Sequence, residues 1–135
     1  MIKKLNRALL ASFAAVSFIV ATAGIAAAHH SFVAFNMNEE KTVTGTVSKV
    51  EWTNPHIWIW IDAPDGKGGT ANYGFEGMSP NFLERRNWTR STLKVGDKIT
   101  VSYRPLRDGG NGGMFMTGKM ETGKILTMQG GREGE

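Results

Sequence analysis

The clearest indication of the fold is the segment His56-Ile57-Trp58-Ile59-Trp60-Ile61-Asp62-Ala63. Its residues alternate between isoleucine and larger, partly polar side chains, and a period of two is typical of a β-strand with one buried face. The isoleucine row is the better core face, so we expect it to point inward. The opposite face then carries His56, Trp58, Trp60 and Asp62.

A turn and a returning strand follow this stretch. Residues 64–69 contain Pro64, Asp65 and three glycines, a composition typical of a turn. The strand pattern resumes over residues 70–76. The sequence therefore predicts a β-hairpin over residues 56–76.

The elements on either side of the hairpin predict an all-β fold with one short helix. Strands are expected over residues 42–52, 97–104, 114–121 and 124–128. A helix is expected over residues 79–86, because Ser79 can cap it and Pro80 suits its first position. Three strands, a short helix and further strands are the order of the OB-fold, so we predict a small OB-fold-like β-barrel of five to six strands. The alternative is another small β-barrel or sandwich with an added helix.

The N-terminus has the three-part layout of an export signal. Lys3, Lys4 and Arg7 precede an apolar run over residues 8–23, and a small-residue pattern ends at Ala28. We predict a signal peptide over residues 1–28 and a periplasmic or secreted bacterial protein with no stable membrane span after cleavage. The alternative is a signal anchor that stays in the membrane.

Cleavage after Ala28 changes the length and the net charge of the chain, and the net charge bears on which partners it can bind. Removing 28 of the 135 residues leaves 107, which is one domain by size. The 16 lysines and arginines fall to 13 against 12 acidic residues, so the net charge is +1 and gives no electrostatic argument for a nucleic-acid partner. With no cysteine, the chain has neither disulfides nor thiolate chemistry. We expect an N-terminal segment at 29–40, the barrel at 41–128 and a flexible tail at 129–135.

The aromatic face of the central strand is the first candidate site. An imidazole and two indoles in one row, on His56, Trp58 and Trp60, form a stacking platform of the kind that binds small ligands. Neighbouring loops add further candidates, Asn54 on one side and Arg107 with Asp108 on the other. The alternative is that other segments of the chain cover these tryptophans. Trp52 and Trp88 are predicted to be packing residues.

A copper site is the second candidate. A mature chain beginning at His29 offers an amine and an imidazole together, and His30 or His56 supplies another nitrogen. Met114 and Met116 alternate onto one strand face, which Met120 continues, and thioether sulfur suits Cu(I). The alternative is that these methionines fill the core. No cofactor other than copper is indicated.

Catalysis has less support. The sequence contains no Gly-x-Ser-x-Gly nucleophile motif, and its three histidines stand in no recognised acyl-transfer arrangement. We therefore predict that the chain is not an enzyme, and a hydrolytic or redox activity is the remaining alternative. The chain then either recognises a small molecule or a periplasmic protein, handles copper, or is a structural domain whose aromatic residues are buried.

Several motifs together resemble a family of small exported bacterial proteins known only as a domain of unknown function, family 6152. They span nearly the whole mature chain: His29-His30-Ser31-Phe32, Val50-Glu51-Trp52-Thr53-Asn54-Pro55-His56-Ile57-Trp58, Ser79-Pro80-Asn81, Leu93-Lys94-Val95-Gly96-Asp97 and Pro105-Leu106-Arg107-Asp108-Gly109. Asn87 stands where that family carries glycine. The resemblance implies export and a small β-barrel, and it implies no activity.

Overall fold

The structure, a computed structural model, describes residues 32–128. The chain separates into two compact units, residues 1–34 and 35–135, and the barrel lies in the second. The predicted signal peptide, His29, His30 and the predicted tail fall outside the described residues. Within residues 32–128, none of the helices has the length and apolar character needed to cross a membrane.

Six strands and one short helix make up the described part of the second unit. They are β1 (Lys41–Glu51), β2 (Trp58–Pro64), β3 (Thr70–Glu76), α1 (Pro80–Glu84), β4 (Lys98–Pro105), β5 (Gly112–Met120) and β6 (Ile125–Thr127).

The first five strands close into a barrel. β1 is the longest strand and pairs with two neighbours, its second half with β2 and its first half with β4. β2 pairs with β3 and β4 pairs with β5, all antiparallel. Parallel pairing of β3 with β5 completes the ring. The closed ring confirms the predicted OB-like barrel, and the alternative of a sandwich is wrong.

The closing contact brings two backbones unusually near each other. Gly74 of β3 lies opposite Gly112 of β5, where a Cβ atom on Gly112 would lie 1.9 Å from the Gly74 carbonyl oxygen. Real side chains never approach that closely, so the closure requires glycine at position 112.

The predicted hairpin is formed by β2 and β3. Pro64 lies opposite Thr70, and the Asp65 carboxylate accepts hydrogen bonds from the backbone N–H groups of Lys67, at 2.7 Å, and Gly69, at 2.9 Å. Those two donors hold the pKa of the Asp65 carboxyl below its usual value, the Lys67 donor contributing most. The turn composition thus acts through a specific side-chain bond.

β2 begins two residues later than the alternation predicts. Ile57 precedes the strand, after a cis peptide bond between Asn54 and Pro55. Its backbone N–H donates to the Met78 carbonyl at 3.1 Å, and its carbonyl accepts from the Gly77 N–H at 2.9 Å. Ile57 is therefore held outside the regular ladder, yet its side chain is fully buried.

The barrel core contains the isoleucine row, as predicted. Ile57, Ile59 and Ile61 are each 0% exposed. They pack within one continuous cluster that also contains Val47, Trp52, Phe75, Leu83, Trp88, Leu93, Ile99, Val101, Tyr103, Phe115, Leu126 and Met128. The period-two pattern therefore assigned the inward face of β2 correctly.

α1 and the segment after it cover one part of this core. The Ser79 hydroxyl accepts from the Phe82 N–H, and Pro80 opens the helix, as predicted. Asn87 follows in the left-handed region at φ 61°, a conformation that glycine favours and asparagine tolerates. The turn is therefore compatible with asparagine at this position.

Trp52 and Trp88 are packing residues, as predicted. Trp88 is 5% exposed, packs edge-on against Phe115 and donates its indole N–H to the Thr127 carbonyl at 3.1 Å. Trp52 is 8% exposed, and its carbonyl accepts from Arg90 at 3.3 Å. Trp88 thereby connects the segment after α1 to β6, the strand outside the closed ring.

We predict that Ile59→Ala lowers the free energy of unfolding by about 2–5 kcal/mol, because it leaves a cavity in a core that cannot close around it. Ile125→Ala removes the same atoms from a side chain that is 58% exposed, and its effect is expected to stay within about 0.5 kcal/mol. Urea unfolding followed by circular dichroism measures both. Equal losses for the two variants would contradict the assignment of the inner face.

Candidate functional site

The outer face of β2 carries the side chains that the alternation predicts. Trp58 and Trp60 are half-buried, and His56, just before the strand, is half-buried too. Asp62 is exposed at the far end of the row. Each of the two residues keeps part of its surface accessible, although the indole nitrogen of Trp60 is buried, so the described residues cover both side chains in part.

The two indoles lie together as one surface. The ring centroids of Trp58 and Trp60 are 5.6 Å apart and their planes differ by 18°, a stacked arrangement. We call these two side chains the indole platform. Offset stacking of this kind is favourable beyond the area that it buries, which holds the two rings in a defined position.

Gly74 of β3 provides the floor beneath one end of the indole platform. A Cβ atom at this position would lie 2.4 Å from Cζ3 of Trp60, and the next two nearest atoms belong to the same ring. The benzene part of Trp60 therefore lies directly against the β3 backbone. The absence of a side chain at residue 74 sets the orientation of the ring.

Charged residues flank the indole platform in the strand register. Trp58 lies opposite Glu51 on β1 and Glu76 on β3, while Trp60 lies opposite Lys49 on β1. Lys49 Nζ contacts Glu51 Oε1. A β-bulge between Val47 and Lys49 adjusts β1 so that both charged residues share the outer face.

His56 is held by a carboxylate. Its Nδ1 contacts Oε1 of Glu76, and the two side chains are 35% and 17% exposed. Because Nδ1 is engaged, the other ring nitrogen, Nε2, is the one that a ligand can contact. A carboxylate on one imidazole nitrogen is also the arrangement that orients many metal-binding histidines.

Two loops border the candidate site. The β1–β2 loop, residues 52–57, carries the exposed Asn54. The β4–β5 loop, residues 106–111, adjoins the floor of the indole platform, since the Asn111 carbonyl accepts from the Gly74 N–H at 3.3 Å. The structure thus places both predicted loops at the edges of β2 and β3, as in other OB-folds.

Arg107 and Asp108 have partners within the chain. Arg107 Nε donates to the Phe35 carbonyl at 2.9 Å, which fixes the segment before β1 against the β4–β5 loop. Asp108 accepts from the Gly110 N–H at 2.9 Å and shapes the loop itself. These bonds give both residues structural roles, and contact with a ligand stays a prediction.

The methionines on β5 do not form the single row that simple alternation predicts. Met114 is buried and lies opposite Glu76, next to the candidate site. A β-bulge inserts the half-buried Met116 into the ladder with β4, since Ser102 pairs with Thr117 and Tyr103 with Phe115. The bulge reverses the facing of the residues beyond it, so Met120 packs against the core.

The structure describes three of the five predicted copper ligands, His56, Met114 and Met116. His29 and His30 lie outside the described residues. His56 contacts Glu76, and Met114 lies opposite Glu76 in the pairing of β3 with β5. In residues 32–128 no group of three or more His, Cys, Asp or Glu residues is placed to hold a metal ion. A metal site here would therefore need thioether ligands or the N-terminal histidines.

Glu76 is the site residue that the sequence interpretation missed. The structure pairs its carboxylate with His56 and places it opposite Trp58 in the strand register. A signal was available in the hairpin. Once Pro64 is placed opposite Thr70, counting six residues along each strand puts Trp58 opposite Glu76.

Comparison with known proteins gives the family. The model of a family described as a family of unknown function, DUF6152, matches residues 15–116. The chain belongs to this family. The match confirms the resemblance drawn from the motifs and covers every residue of the indole platform and its flanking charges. DUF6152 carries no described activity. No curated protein and no solved structure matches the chain.

We predict that Gly74→Ala destabilises the barrel by about 1–3 kcal/mol, because the new methyl group must displace the Trp60 ring. The displacement should also reduce the near-ultraviolet circular dichroism of the stacked indoles. In a Trp60→Ala background the same substitution should cost almost nothing, and this double-mutant cycle isolates the contact. An equal cost in both backgrounds would show that position 74 is constrained by something other than Trp60.

Proposed function

We propose that the chain is an exported recognition module that binds a small molecule or a periplasmic partner on the outer face of β2 and β3. One observation carries the proposal: the indole platform is stacked, supported by Gly74 and still partly accessible. Export is supported by the signal-like N-terminus of the sequence.

The distribution of apolar residues supports a binding role. The barrel core is filled by the isoleucine row and its neighbours, so the two tryptophans on the outer face are not needed to fill it. Adjacent apolar rings that remain accessible on a folded surface are typical of interaction sites. Tryptophan suits this purpose, because its large rigid ring gives contact area at a low cost in conformational entropy.

The surroundings of the indole platform support the same proposal. His56 and Glu76 supply polar groups at one edge, and the β4–β5 loop adjoins the other. Aromatic side chains with a few fixed polar groups beside them are the usual lining of a small-molecule site. The hydrogen bond from Arg107 to the Phe35 carbonyl holds that loop in a defined position.

We predict that Trp58→Ala and His56→Ala leave the fold largely intact and remove ligand binding. The measurement is a titration with a panel of neutral sugars, amino acids, amines and nucleotides, followed through the indole N–H signals in NMR spectra. Phe82→Ala is the control, because Phe82 is a half-buried aromatic residue on α1, under Arg86 and outside the site. Severe unfolding of the Trp58 or His56 variants would instead assign those residues to the structural framework.

Copper binding is the second candidate, and one observation favours it. Glu76 holds His56 through Nδ1, which leaves Nε2 as the ligand atom, and Met114 lies opposite Glu76 in the pairing of β3 with β5. Native mass spectrometry with one equivalent of Cu(I) or Cu(II) tests this candidate. Copper retained by the native chain and lost on His56→Ala would support a site at the barrel. Retention by that variant would assign copper to the N-terminal histidines.

A further inference from the structure

The charges around the indole platform restrict the class of ligand. Trp58 lies between Glu51 on β1 and Glu76 on β3, so a carboxylate borders it on each side. Asp62 follows Trp60 on the same face of β2, and its carboxylate accepts from the Asn72 amide at 2.6 Å. The one lysine in register with these residues is Lys49, opposite Trp60.

The balance of these charges is negative. Three carboxylates against one ammonium group give a formal charge of −2 when His56 is neutral and −1 when it is protonated. Two arginines of the barrel are already engaged, because Arg104 contacts Glu40 at 3.3 Å and Arg107 donates to the Phe35 carbonyl. Such a surface disfavours the phosphate groups of nucleotides and nucleic acids, whose binding requires a basic face.

A cation suits both components of the site. The face of an indole ring attracts positive charge through its quadrupole more strongly than other aromatic side chains do. The carboxylates on both sides of Trp58 contact Lys49 and His56, and the net negative charge that remains on this face adds Coulombic attraction for a cation. Resting on the proposed recognition function, we propose that the indole platform binds an organic cation bearing an alkylated ammonium group, placed over Trp58 between Glu51 and Glu76.

The test compares two probes of the same shape. Choline carries a trimethylammonium group, and 3,3-dimethyl-1-butanol replaces its charged nitrogen with carbon. We expect choline to shift the indole N–H signals of Trp58 and Trp60 saturably in NMR titrations. The neutral probe is expected to bind at least about tenfold more weakly, since it lacks the cation–π and Coulombic attraction. Added sodium chloride should weaken choline binding.

Charge-removing variants locate the effect. Glu51→Gln and Glu76→Gln should each weaken choline binding by about threefold, in the range of one exposed charge contact. Glu121→Gln is the matched control, because it removes the same charge from the turn after β5, where Glu121 lies 3.8 Å from Lys98. That variant should bind choline as the native chain does. Glu51→Gln keeps the test valid if loss of the His56 contact makes Glu76→Gln unstable.

Two results would overturn the inference and leave the proposed function standing. In the first, both probes bind equally well; in the second, a neutral sugar such as maltose shifts the platform signals while choline does not. Either would show that the indole platform recognises a neutral ligand. A protein in which none of the three probes moves these signals would also overturn the inference, and the Trp58→Ala titration with the wider panel would then decide the proposed function separately.

Discussion

The close approach of β3 and β5 holds the barrel closed. Two backbones run side by side at Gly74 and Gly112 with no side chain between them, and that contact closes the barrel. Closure buries the isoleucine row of β2 on the inside. It also brings the β4–β5 loop beside β3, where the Asn111 carbonyl accepts from the Gly74 N–H, and the same Gly74 leaves the space that Trp60 occupies. One backbone contact therefore links the core to the candidate site.

The electrostatics of the outer face follow from strand register. Lys49 and Glu51 precede Trp58 by nine and seven residues and Glu76 follows it by 18, and the pairing of β1, β2 and β3 brings them to either side of the indoles. Each carboxylate flanking Trp58 has a basic partner of its own, Lys49 for Glu51 and His56 for Glu76. Such partners restrict the motion of the acidic groups without cancelling the net negative charge of the surface, because Asp62 adds a third carboxylate.

Local periodicity predicted much of the fold and part of the site. The faces of β2, the hairpin, the cap of the helix and the OB-like order of elements all follow from patterns within about ten residues of sequence. Features that depend on pairing between distant strands did not follow. The bulge at Met116 inserts one residue into the ladder with β4 and turns Met120 inward, which no pattern within β5 alone indicates. Glu76 was within reach of the hairpin count, whereas the stacking of two indoles over a glycine depends on packing.

The fit of Trp60 against Gly74 has a consequence for the divergence of related chains. The Trp60 ring occupies the space that a side chain at position 74 would need, so a larger residue at position 74 requires a change at Trp60. In DUF6152 proteins that keep this barrel, a larger residue at the position of Gly74 should be accompanied by a smaller one at the position of Trp60. The two sites would then be inherited as a pair, and their joint variation would separate members that have the platform from members that have lost it.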